Sequence, residues 1–333
     1  MSAAARPGRA VSGRGLGERL ARGGRALWPI ATRTLGAIGV LVVLATLVFL
    51  ALRLLPGDPA ALILGDQASL ADRAALRARL GLDAPLWAQY LHYLRGLFTL
   101  DIGDSLTRPG VGAFAEVGRA LGPTSELAGL AVGLGSVIGI GAALFSVAPW
   151  LRRGRKWVHR GILAVAATPL VAFAPLMTFV VAVHWRLVPL PGDPDSGFSG
   201  LLFASGLLSL PLAAQVARIA RAALLDQQNA KFLDVAQAKG ASSLRVWVVH
   251  ALPPASAPIA VVIATQLGAL LGGAVVLERL FERPGLGTLM LQAYAARDIP
   301  VLEASVIAAG FLFVAAQATA AALSAVIDPR GQA

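Results

Sequence analysis

The chain has 333 residues, of which 56% are hydrophobic and 14% charged, whereas soluble domains carry about 25% charged residues; an ordinary soluble enzyme is excluded. Twenty-nine Lys and Arg against 18 Asp and Glu give a net charge of +11, which suits a nucleic-acid binder only if the cations gather on one surface. There is no cysteine, so disulfide frameworks, thiolate metal sites and cysteine nucleophiles are excluded too.

Residues 1–33 hold Arg6, Arg9, Arg14, Arg19, Arg22, Arg25 and Arg33 and read as a disordered basic cytosolic tail. The apolar run that follows, 34–55, exceeds the roughly 7 to 15 residues of a signal-peptide core and leads into Arg53-Leu54-Leu55-Pro56, not a small-residue cleavage site. It is expected to be an uncleaved anchor, with Arg53 snorkelling at its end. The outer stretch 56–126 opens on a rigid Pro56-Gly57-Asp58-Pro59 turn. Next comes a short helix over 69–80, with Ser69 and Asp72 spaced as a capping box. Asp83-Ala84-Pro85 starts another helix, in which Leu86, Tyr90, Leu91, Leu94, Leu97 and Phe98 share a face, suited to lying at the membrane interface or to packing on the bundle.

A helix needs about 20 apolar residues to cross the roughly 30 Å hydrocarbon core. Beyond 34–55, five further runs meet this: 127–150, 161–185, 198–217, 256–277 and 304–327. Pro169, Pro175 and Pro211 are expected to kink the third and fourth spans. The inner loop 218–255 reads as a helix over 229–239, a break at Gly240, then a second helix capped by Ser242 or Ser243. There Leu244, Trp247, Val248, Ala251 and Leu252 form an apolar face, and Pro253 is expected to end the helix. The outer turn 282–287 feeds a short helix to about Arg297, and 329–333 form a cytosolic tail.

Six spans put both termini on one side. The side holding the termini, the loop between spans two and three and the loop between spans four and five carries 18 cations and four acids, a net of +14; the other side nets −3. Cytosolic loops are the arginine-rich ones, so the basicity is topological and nucleic acid is not an expected partner. Both termini are assigned to the cytosol.

Several chemistries are missing. No G-x-x-x-x-G-K-[ST] phosphate loop occurs, and His92, His159, His184 and His250 lack metal-ligand spacing. No G-x-S-x-G elbow supports a hydrolase. Span interiors offer uncharged polar groups such as Thr168, Ser209, Gln215, Thr265, Gln266 and Gln317, whereas ion-coupled carriers place ionisable groups there. Glu278 and Glu303 are assigned to span ends, where solvation is cheap. Gly129 and Gly133, Gly135 and Gly139, and Gly268 and Gly272 are spaced for close helix approach, within the bundle or against a subunit.

By spacing alone, the inner elbow either docks another protein or packs on its own bundle. Its sequence, Asp234-Val235-Ala236-Gln237-Ala238-Lys239-Gly240 followed by Leu252-Pro253, resembles the EAA loop of membrane permeases of ATP-binding-cassette importers. Further matches resemble the peptide-permease branch: Arg53-Leu54-Leu55-Pro56-Gly57-Asp58-Pro59, Leu80-Gly81-Leu82-Asp83, Gln266-Leu267-Gly268, Pro284-Gly285-Leu286-Gly287, Arg297-Asp298 and Asp328-Pro329-Arg330. They run in order from about Arg33 to Arg330. Departures are Asp234 for the family's Glu, Val235 for its first Ala, Leu100 where a Gly usually precedes Asp101-Ile102-Gly103, and the basic head.

The resemblance implies an all-α integral membrane protein: a six-span importer permease bundle with short extracytoplasmic helices and a cytosolic coupling elbow. It further implies a B-type permease subunit in the bacterial plasma membrane, importing dipeptides or oligopeptides, or nickel chelates. The implied partners are a homologous second permease, two cytosolic ATPase subunits, an extracytoplasmic substrate-binding protein and membrane lipid. ATP and Mg would sit on the ATPases, with no cofactor and no catalysis on this chain. Asp234, Val235, Ala236, Ala238, Lys239 and Gly240 are the implied ATPase-coupling residues. An ion-coupled carrier acting alone is the alternative, and an intramembrane enzyme lacks convergent catalytic residues.

Overall fold

The structure, a computed structural model, describes residues 35–51, 53, 69–79, 81–147 and 154–327. The expected basic tail, the Pro56-Gly57-Asp58-Pro59 turn and the C-terminal tail lie outside them. Among the described residues the regular structure is helical, apart from one isolated bridge between Asp104 and Gly112.

Local sequence accounts for where the first three helices begin. α1 (Leu35–Ala51) is the first apolar run. α2 (Leu70–Arg79) starts at the expected box: the Asp72 amide donates to Ser69 Oγ (3.1 Å) while that hydroxyl donates to the Asp72 carboxylate (2.7 Å). α3 (Leu86–Thr99) follows Pro85, whose fixed φ suits a helix start. The face expected of α3 is split: Tyr90, Leu94 and Leu97 pack with Tyr93 on Ala45 and Phe49 of α1, while Leu86, Leu91 and Phe98 stay exposed.

Among the described residues four helices are long and apolar enough to cross a membrane: α4 (Ala113–Val147), α7 (Gly197–Gln227), α9 (Ser243–Leu280) and α11 (Ile299–Ile327). Of the other two predicted spans, the first is described only as the 17-residue α1, and the third is broken. α5 (Arg155–Ala167) and α6 (Leu170–Thr178, continued by a wide π turn Phe179–His184) meet at Pro169, and the pair is bent by 107°. Proline removes an N–H and disfavours helix in the residue before it. Thr168 accordingly sits extended, and its hydroxyl donates back to the Ala164 carbonyl (2.8 Å). An apolar cavity of about 150 Å³ lies in this bend, lined by Thr168, Phe173 and Pro211 among others. Pro211 itself is carried within α7 as one helix.

The long helices outrun the sequence estimate. α4 starts 14 residues before the predicted 127, within the expected outer loop, and its 35 residues span about 52 Å at 1.5 Å each. Charge-free runs mark only the hydrocarbon-facing part of a helix; hydrogen bonding continues the helix into polar sequence. The expected stop at Pro253 is also overturned. Ser243–Arg245 and a π turn at Val246–Ala251 run directly into the helix ending at Leu280. Pro253 and Pro254 fall in the first turn after the wide turn, where a missing N–H is tolerated.

The main core joins α4, α7 and α9 through Leu127, Leu208, Leu212, Val216 and Leu277. Close approach needs glycine here. A Cβ on Gly135 would lie 2.8 Å from the Leu212 side chain, and one on Gly139 2.7 Å from the Ala213 carbonyl. Gly268 likewise meets Phe313 of α11, whereas Gly129, Gly133 and Gly272 have nothing within 4 Å. A second core ties the N-terminal turns of α4 to α10 (Leu286–Ala296) and α11.

Candidate functional site: the elbow and the buried carboxylates

The elbow is built as the spacing suggests. α8 (Lys231–Ala238) ends where the Gly240 amide donates to the Gln237 carbonyl (2.9 Å) and the Ala241 amide to the Ala236 carbonyl (3.1 Å). This is a Schellman closure with Gly240 at the left-handed position, φ +82°. The Ser242 hydroxyl then accepts from the Arg245 amide (3.4 Å) at the start of α9.

Burial sorts the six expected coupling residues into two groups. Asp234, Val235, Ala238, Lys239 and Gly240 are exposed. Ala236 is buried; with Leu233 it packs into the main core beside Val246 and Ala251. Ala236 faces the core because the 3.6-residue period places 233 and 236 on one side of α8. The apolar face expected over 244–252 is corrected. The wide turn brings Val246 and Ala251 inward, five residues apart, and leaves Leu244 and Val248 outside. The elbow so presents Phe232, Val235, Leu244 and Val249 to solvent, Val235 at 53% exposure, with Asp234 and Lys239 at the margin.

On the opposite flank, three carboxylates placed at span ends by sequence, or noted there only within a motif, are deeply buried. Glu278 is 1% exposed, against the expectation of cheap solvation. Its Oε1 accepts from the Thr124 hydroxyl of α4 (2.6 Å), and its Oε2 from the Gly287 and Thr288 amides (2.7 and 3.1 Å). The Leu286 amide in turn donates to Thr124 Oγ1 (2.8 Å). One side chain of α9 thus caps the first turn of α10, satisfying donors that a helix start leaves open. The packing is tight: a Cβ on Gly285 would overlap the Glu278 carboxylate, and one on Gly287 would lie 2.5 Å from the Val275 backbone.

Asp298 secures the other end of α10. Arg297 adopts φ +55° as the left-handed cap. Asp298 Oδ2 accepts from Ser105 Oγ (2.5 Å), the Thr107 amide (3.2 Å) and Thr107 Oγ1 (3.0 Å). Glu303, also corrected to a buried position, pairs with Arg53 (3.3 Å), whose Nε donates to Gln89 (3.1 Å) and whose guanidinium lies over Phe49. Arg53 therefore bridges α1, α3 and α11 through these contacts. Burial pushes the neighbouring Tyr93 phenol well above its ordinary range, and nearby Glu303 adds to the shift. The signal that could have marked Glu278 was an acid seven residues before a Gly-x-Gly turn, a spacing that lets the span's last turn fold back on the next helix's amides.

The comparisons with known proteins fit this architecture. The description "Binding-protein-dependent transport system inner membrane component" covers residues 135–331, and its N-terminal counterpart covers 27–113. The chain belongs to this family of multi-pass membrane permease components. A Brucella abortus protein named as a peptide transport system permease is 34% identical over 90% of this chain and 98% of its own. The glutathione transport system permease protein GsiC of Salmonella typhi is 34% identical over 90% and 97%. The dipeptide transport system permease protein DppB of Escherichia coli is 29% identical over the same shares.

Proposed function

We propose that this chain forms half of the translocation pathway of an ATP-driven peptide importer. A homologous second permease supplies the other half, two cytosolic ATPase subunits supply the energy with their own ATP and Mg, and an extracytoplasmic binding protein delivers the cargo. Both termini face the cytosol. This chain is non-catalytic and binds no cofactor.

The observation that carries this reading is the elbow. Leu233 and Ala236 tie it to the bundle core, while apolar Phe232 and Val235 stand exposed on its far side, flanked by Asp234 and Lys239. A knob rooted in the core and apolar at its tip suits a groove on a partner, with the rim charges setting orientation. Peptide cargo is inferred from the named cargoes of the relatives, which are peptides, dipeptides and glutathione.

Because the chain has no cysteine, Val235→Cys gives a single reactive thiol. In membranes holding the assembled importer it is expected to crosslink to an ATPase subunit and to be shielded from an impermeant thiol reagent added outside. Solute import by the permeases without ATPases, driven by an ion gradient, overturns the proposal, as does labelling of the introduced thiol from the outer side.

A further inference from the structure

α9 is one helix from the elbow to the opposite flank. Its 38 residues, Ser243–Leu280, extend about 57 Å at 1.5 Å per residue, longer than the hydrocarbon core. Its irregular features are confined to the elbow end: the π turn at Val246–Ala251 and Pro253, Pro254 and Pro258. From Ile259 onward it is unbroken and proline-free, and it packs into the core through Ile259, Leu270, Ala274 and Leu277. At the far end its last polar side chain but one, Glu278, holds the Gly287 and Thr288 amides of α10 and the Thr124 hydroxyl of α4.

We infer that α9 is a transmission rod, and that Glu278 is the positioning residue that makes the outer helix α10 follow it. The inference rests on the proposed docking of ATPases at the elbow. The elbow's second arm is the base of α9, so a displacement there passes through the π turn into the regular helix from Ile259, not into a loop. At the other end, Gly285 lies against the Glu278 carboxylate with no room for a Cβ, so α10 cannot stay behind while the hydrogen bonds hold. α10 is hinged at its far end by the Asp298 contacts to Ser105 and Thr107. Movement at its first turn therefore swings the helix about Asp298. Coupling over such a distance can be carried by a rigid secondary element, and a rod clamped to α10 is one.

The test uses the assembled importer in lipid, with spin-label pairs on introduced cysteines. One pair, Leu244 with Trp157, reads the elbow end; the other, Tyr294 with Phe98, reads α10. All four side chains are more than half exposed. Trapping with ATP and Mg is expected to shift both distances in the parent chain. Glu278→Met, of similar length but without acceptors, is expected to keep the elbow shift and lose the α10 shift. Glu278→Gln is expected to restore both: its carbonyl accepts from Gly287 and Thr288 while its amide donates to Thr124, whose hydroxyl turns to the Ala120 carbonyl already 3.2 Å away. If Glu278→Met fails to assemble, Thr124→Val, which removes only the bridging hydroxyl, is expected to cut the α10 shift at least by half. An α10 shift that survives both Glu278→Met and Thr124→Val overturns the clamp, as does a parent chain in which the elbow moves and α10 does not. A parent chain in which neither moves overturns the docking reading and the rod with it.

Discussion

Gly240 is the residue at which the elbow is most sensitive to backbone chemistry. Its φ of +82° lies in the region that β-carbons disfavour, yet nothing stands within 4 Å of the position a Cβ would take. Gly240→Ala therefore meets no steric neighbour and carries a conformational cost alone, about 1–2 kcal/mol. That is a roughly five- to thirtyfold change in the population of the elbow's closed form. Gly240→Asn is expected to be milder, since asparagine visits the left-handed region. Gly240→Pro is far worse: φ is forced to about −65°, the hydrogen bond to the Gln237 carbonyl is lost, and the cost is about 3 kcal/mol or more. The assay is solute imported per ATP hydrolysed by the assembled complex in proteoliposomes, with assembly checked by chromatography. The expected order is Gly, then Asn, then Ala, with Pro assembled but at least tenfold uncoupled. Normal import by Gly240→Pro, or an Asn variant as poor as Pro, would refute the reasoning.

Leu100→Gly is expected to stabilise the chain, because Leu100 caps α3 at φ +56° with its side chain exposed. Relief of that strain amounts to about 1 kcal/mol, read as a higher midpoint of thermal unfolding in detergent. Gly139→Ala is expected to lower the same midpoint, since its Cβ would fall 2.7 Å from the Ala213 carbonyl and from Val216 and overpacking costs about 1–3 kcal/mol. Gly129→Ala, with open space around it, is expected to leave that midpoint within about 0.5 kcal/mol. A larger loss at Gly129 than at Gly139 sinks the assignment of α4's packing face.

Composition and charge placement were enough to establish a membrane bundle, because the bilayer demands long uncharged helices and cytosolic loops concentrate arginine. Motif order was enough to suggest the permease family, and local caps at Ser69, Gly240 and Ser242 were legible because each involves neighbours in sequence. The broken third span was only half legible: Pro169 announced a kink, but 107° depends on what the two arms pack against. Pro253 misled because its effect depends on the wide turn just before it, which no local pattern marks.

The carboxylates show the division most clearly. By sequence alone Glu278 and Glu303 were acids near the ends of apolar runs, where water is within reach. Tertiary structure placed Thr124 and two α10 amides around the first, and Arg53 around the second. A buried charge is tolerated only when distant parts of the chain bring it partners, and those partners lie up to 250 residues away. Likewise, the 3.6-residue period could list the elbow's faces, but which face turned inward was decided by the core that received Leu233 and Ala236. Hydrophobicity and capping act over a few residues and are written along the chain; the pairing of polar groups across helices is settled only when the bundle closes.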